Sequence, residues 1–213
     1  MENVNFKPWV GPKYSDGLHG KKIMILGDSH YCKDELKEGG VCWPSCIKSK
    51  MKTTCNTQTS GVVKEYLYDY QGQRYLQLFQ ACDRAYYGKE SSQKEKEDFW
   101  NSVIFYNYFQ NSQKGPREKL EITEDAEKAF KEVLEKYLPD LIIVWGKRLY
   151  DWYLPNWDGT ASKIEIEENK TTDSWTYNIK GKNIQVMVVH HPSQGLGKSW
   201  DYWHPFYKKF IGY

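Results

Sequence analysis

The sequence predicts an α/β protein in which a four-stranded, mainly parallel sheet is flanked by helices on both faces, and three observations lead to that class. Short apolar runs at 22–26, 103–106, 141–145 and 184–190 are rich in branched residues, as strands buried on both faces require. They are separated by the roughly 30 or more residues that a strand-helix-strand unit occupies. The stretches between them carry helical periodicity, and alternating strands and helices indicate a parallel sheet with right-handed crossovers.

Residues 1–20 mix Pro8, Trp9, Gly11, Pro12 and Gly17 and are expected to cover an edge of the sheet. The first strand, Lys22-Ile-Met-Ile-Leu26, runs into Gly27-Asp28-Ser29-His30-Tyr31. The irregular segment 32–58 holds Cys32, Cys42, Cys46 and Cys55, with nine, three and eight residues between them. Four thiolates in tetrahedral reach are what a structural zinc needs, so these four are the candidate metal ligands; no cofactor is required for the chemistry itself. Ser60 is a candidate N-cap for a helix whose Val62, Val63, Tyr66, Leu67 and Tyr70 share a face, and a second helix over 74–87 presents Tyr75, Leu78, Phe79, Cys82 and Tyr86. Lys89–Asp98 reads as a charged, solvated connection.

The strand Val103-Ile-Phe-Tyr106 leads into Asn107, whose amide can donate and accept together. Thr123 caps an amphipathic helix marked by Ala126, Ala129, Phe130, Val133, Leu134 and Tyr137, with Glu124 and Asp125 well placed in its first turn. Leu141-Ile-Ile-Val-Trp145 is a third buried strand, Gly146 turns the chain, and a helix begins at Lys147. Ile164–Glu168 and Trp175–Ile179 alternate with period two and read as a hairpin. The run Gln185-Val-Met-Val-Val189 passes through His190 into His191-Pro-Ser193; Gly195-Leu-Gly-Lys198 is a flexible loop and Trp200–Phe210 a final aromatic, basic helix.

Length suits one substantial core, and no Pro/Gly/Ser-rich linker divides residues 1–213, so a single domain is expected. A net charge of +2 neither demands nor opposes a nucleic-acid partner. Nine Trp and 17 Tyr exceed the needs of a small core, so some are expected to line a groove or base-sized pocket. The first residues lack a basic flank and an apolar segment, and no apolar run approaches the roughly 20 residues of a membrane span; a cytoplasmic protein with no membrane partner is expected. Its cysteines are then thiols or metal ligands rather than disulfides. In open α/β sheets ligands bind where strands release the chain into loops, which directs attention to Gly27–Tyr31, Asn107, Gly146 and His191–Ser193.

Those four landmarks, in that order, resemble the uracil-DNA glycosylase superfamily, where a first loop commonly reads Gly-Gln-Asp-Pro-Tyr, an apolar strand ends in a base-reading Asn, a strand reads Leu-Leu-Trp-Gly and the last loop reads His-Pro-Ser. They span residues 27–193, with Trp100 shortly before the Asn-bearing strand. This chain departs from the pattern in the first loop: the water-activating Asp of the family falls on Ser29 and its Pro on His30, while Asp28 sits one residue earlier. The resemblance implies a monofunctional DNA glycosylase that hydrolyses the N-glycosidic bond of a flipped uracil-like, damaged or modified base, in repair or in defence against modified phage DNA. Asp28 or His30 would position the water, His191 would donate to the departing base, Asn107 would read its edge and Tyr31 would bound the pocket. Ser29, Ser193 and Lys198 would contact substrate, Leu196 would fill the gap in the duplex, and single- or double-stranded DNA would be the partner.

Two other readings use the same residues. Gly27-Asp28-Ser29 with Asp201-Tyr-Trp-His204 resembles the blocks of GDS-type esterases and lipases, with Ser29 as nucleophile, His204 as its base and Asp201 orienting it. A non-catalytic DNA-binding module would also carry a degenerate first loop.

Overall fold

The computed structural model describes residues 1–31, 56–111, 124–193, 195 and 199–213. Its strands are β1 (Trp9–Val10), β2 (Ile23–Gly27), β3 (Val103–Asn107), β4 (Leu141–Trp145), β5 (Thr160–Glu167), β6 (Lys170–Ile179) and β7 (Lys182–Val189). Its helices are α1 (Gln58–Tyr68), α2 (Gln77–Tyr87, entered through a 3₁₀ turn at Arg74–Leu76), α3 (Gln93–Trp100), α4 (Glu124–Tyr137), α5 (Lys147–Trp152) and α6 (Trp200–Ile211).

All seven described strands form one sheet in the order β1-β3-β2-β4-β7-β6-β5. Strands β3, β2, β4 and β7 are parallel neighbours, while β1 joins β3 antiparallel and β7, β6 and β5 continue antiparallel. The expected four-stranded, mainly parallel sheet is thus corrected to a seven-stranded mixed one. The cause lies at Lys180-Gly181: φ values of 51° and 79° make a two-residue turn of the type that matches strand twist, so β6 folds back onto β7 and brings the whole hairpin into the sheet.

Alternation along the central strands divides the core in two. Ile23, Ile25, Val103, Phe105, Ile143, Trp145 and Met187 face a layer built from α1, α2, α3 and α6. Met24, Leu26, Ile104, Tyr106, Val144, Val186 and Val188 face α4, Leu149 of α5 and Tyr177 of β6. Both faces being covered explains the near-continuous apolar runs. The aromatic surplus goes mostly inward: Phe79 packs on Trp100, Phe105 and Trp145 with centroids 5.0–5.5 Å away, and Trp100, Trp145, Tyr66, Tyr106, Tyr177 and Tyr207 are fully buried.

Segment 89–98, expected as a charged, solvated connection, has no buried residue, yet it enters the helix α3 through a capping box, with Ser92 Oγ accepting from the Glu95 backbone N–H and Glu95 accepting from that of Ser92.

Chain order and sheet order together create a crevice. From β2 the chain crosses to β3 through helices on one face, whereas from β4 it leaves through α5 on the other face towards β7. The outgoing loops of the adjacent strands β2 and β4 therefore diverge, and such a switch point leaves an opening at the carboxyl ends of the strands.

Candidate functional site

Asp28 follows β2 directly and Arg148 lies in the first turn of α5, so the two arrive from opposite walls of this crevice. Arg148 Nη2 donates to Asp28 Oδ2 at 2.5 Å, with the carboxylate side chain only 11% exposed and the guanidinium 33%. The second carboxylate oxygen, Oδ1, is buried without a hydrogen-bond partner among the described residues. Arg148 was not singled out by the sequence, because one basic residue at the start of a short helix looks like any solvated charge.

His191 enters from the end of β7. Its ring carbons lie 3.6–3.9 Å from the position a Cβ would occupy on Gly146, an ordinary packing distance, and it is the φ of +107° that favours glycine there. The Ser193 backbone N–H donates to His191 Nδ1 at 3.3 Å and Ser193 Oγ lies 2.7 Å from the same nitrogen. A backbone amide can only donate, so Nδ1 is an acceptor and the ring proton of the neutral imidazole is on Nε2. Burial lowers the His191 pKa, with Asp28 raising and Arg148 lowering it through their charges. The ring is thus kept neutral between two opposite charges, with an N–H donor at Nε2.

Tyr31, 41% exposed, stands at the same place: burial raises its hydroxyl pKa, the Ser29 hydroxyl lowers it, and Asp28 and Arg148 act on it in opposite senses. Ser29 Oγ is near enough to influence Tyr31 yet is buried without a well-formed hydrogen bond. The structure therefore brings Asp28, Ser29, Tyr31, His191 and Ser193 together, with Arg148 added.

His30 and Asn107 form a separate, buried pair. Asn107 Nδ2 donates to His30 Nε2 at 3.2 Å, so Nε2 also accepts from the Thr59 hydroxyl at 2.8 Å, and burial pushes the imidazole pKa down to about 4. Asn107 Oδ1 lies 2.2 Å from where a Cβ on Gly27 would stand, and Gln110 Nε2 donates to the Asn107 carbonyl. Water positioning by His30 and base reading by Asn107 would each require breaking this pair; as it stands, it ties the first loop to β3 and α1. His190 points elsewhere, its ring 5.5 Å from Trp203.

The esterase residues do not assemble. His204 Nδ1 pairs with the Ala85 carbonyl and its Nε2 lies against Gly88, so it is engaged with α2 rather than with Ser29. Cys32, Cys42, Cys46, Cys55, Leu196 and Lys198 lie outside the described residues. Among the described residues no group of three or more His, Cys, Asp or Glu could hold a metal ion, and no helix is long and apolar enough to cross a membrane.

A cavity of about 670 Å³ lies away from the crevice, between α5 and the β5–β6 hairpin, lined by Tyr150, Leu154, Pro155, Trp175 and Tyr177. Of its carboxylates Asp173 is tied to Lys147 at 2.9 Å, and the cavity holds none of the converging donors and acceptors found at the switch point. Comparison with family models, curated proteins and solved structures finds no match for this chain, so its functional reading rests on the residues of the crevice.

Proposed function

We propose that the chain is a DNA glycosylase that hydrolyses the N-glycosidic bond of a flipped, uracil-like or modified base. One observation carries the reading: Asp28 Oδ1, a buried carboxylate oxygen without a partner among the described residues, shares a switch-point crevice with a neutral imidazole whose N–H is on Nε2. Breaking a base from deoxyribose develops positive charge on the sugar and negative charge on the departing base. Asp28 Oδ1 accepts a hydrogen bond from the attacking water and then its proton as the oxygen bonds to the sugar carbon. The bonding pair leaves with the base, where His191 Nε2–H stabilises the anion. Tyr31, 41% exposed beside Asp28 and Arg148, is placed to bound the flipped base.

The test is base release from single- and double-stranded oligonucleotides, each carrying uracil, hypoxanthine, a damaged base or a modified cytosine, followed by alkali cleavage at abasic sites. His191→Ala should cut the rate by on the order of 10²–10³, the usual cost of one preorganised donor. Asp28→Asn should lose comparably, whereas Ser29→Ala should stay within a few-fold because no covalent intermediate passes through that hydroxyl. A Ser29→Ala protein without activity beside a fully active His191→Ala protein would overturn the proposal. The substrate found also decides between repair and defence against modified phage DNA.

A further inference from the structure

The geometry points to Arg148 as the positioning residue of the crevice, a guanidinium that fixes Asp28 through Oδ2 so that Oδ1 alone is presented to the attacking water. The inference rests on the glycosylase reading above, and its observations are independent of the motifs that suggested that reading. A carboxylate so nearly buried has two oxygens with similar claims on any donor. The 2.5 Å contact from Nη2 removes that degeneracy: Oδ2 is occupied and Oδ1 is left buried and open. A guanidinium N–H is directional where a lysine ammonium is a rotating point charge, so the single contact selects Oδ2 over Oδ1.

Arg148 acts on the second working group as well. Among the described residues three titratable or charged groups face Asp28: Arg148 from α5, His191 from the loop after β7, and Tyr31 from its own loop, while Tyr153 faces Arg148 from beyond α5. The carboxylate favours a proton on His191 and the guanidinium opposes it. With Asp28 alone beside it, the imidazole would be drawn towards the cation, which needs a proton on Nδ1, where the Ser193 N–H now donates. Arg148 thus offsets the cost of placing a carboxylate next to a histidine that must stay neutral. Topology places it for this, since α5 follows β4, the neighbour of β2 at the switch point, and so carries Arg148 to the loop that holds Asp28.

The test separates position from charge. Arg148→Gln removes both the fork and the charge, and Arg148→Lys keeps the charge alone. Base-release kcat should fall on the order of 10²-fold in Arg148→Gln with KM little changed, as expected when a reacting group is misplaced by about an ångström. Arg148→Lys should fall about tenfold. The His191 titration midpoint, read by NMR on the free protein, should move up in Arg148→Gln and stay near the parent's in Arg148→Lys; this readout needs no substrate and is one that a merely structural role would not move. Should Arg148→Gln fail to fold, Arg148→Lys carries the kinetic test alone. Parent-like kcat in the variants that fold, or an unmoved His191 midpoint in Arg148→Gln, overturns the inference. Asp28→Asn in the same assay tells the two failures apart. If it is as active as the parent, the glycosylase reading fails; if it is inactive while Arg148→Gln is not, only the role of Arg148 fails.

Discussion

His30 and Asp83 pull stability in opposite directions with pH. His30 is depressed to about 4 in the fold against an ordinary value near 6.5, by burial, so its contribution is complete above 6.5 and is lost as pH falls through 4. Asp83, in the core of α2, is raised to about 6 by burial, although Tyr66, Ser91 and Trp100 donate to it, so its contribution is complete below its ordinary 3.8 and is lost as pH rises through 6. Each shift is worth on the order of 3 kcal/mol. Urea unfolding between pH 6.5 and 4 should therefore show a shallow slope in the parent, a steeper loss on acidification in Asp83→Asn, and no loss or a gain in His30→Gln. A His30→Gln protein that still loses stability as steeply as Asp83→Asn would contradict the assignment.

At the scale of elements, α3 shows how a local signal is masked by composition. Residues 93–98 are all polar or charged, yet Ser92 and Glu95 form a reciprocal cap and Phe99 and Trp100 at its far end are buried. The helix is anchored at its last turn and started by its cap, with little apolar stripe between. Ser92→Ala should cost about 1 kcal/mol in chemical denaturation, the usual loss for a serine cap, and Ser92→Asp should restore most of it. The β5–β6–β7 meander was legible as alternation but not as part of the main sheet, because period two reveals which face is buried and says nothing about which strand is the neighbour. The Lys180-Gly181 dipeptide between two alternating runs was the available signal.

For the whole molecule, the central strands were readable because burial on both faces leaves almost no polar residue in them. Sequence placed Asp28, Tyr31 and His191 at strand ends, but pairing is a property of three dimensions: it could not assign Arg148 to Asp28 or Asn107 to His30. Amide exchange should follow the layering, slowest in β2 and β4, whose side chains are almost wholly buried, and fastest in β5, where Ile164 and Ile166 alone escape full exposure. Equal protection of β5 and β2 would mean that the outer hairpin is integral to the core. Strand order also sets a timetable. The neighbours of β2 begin at Val103 and Leu141, and β7 completes the parallel set only with Val189, so a nascent chain holds its central strand without a parallel partner until β3 has been made. Long-range parallel pairing of this kind is slow to form. Because His191 follows β7, the crevice is assembled only after the fourth parallel strand has been made, and a ribosome-bound chain that stops short of it would carry Asp28 and Arg148 with nothing to act beside them.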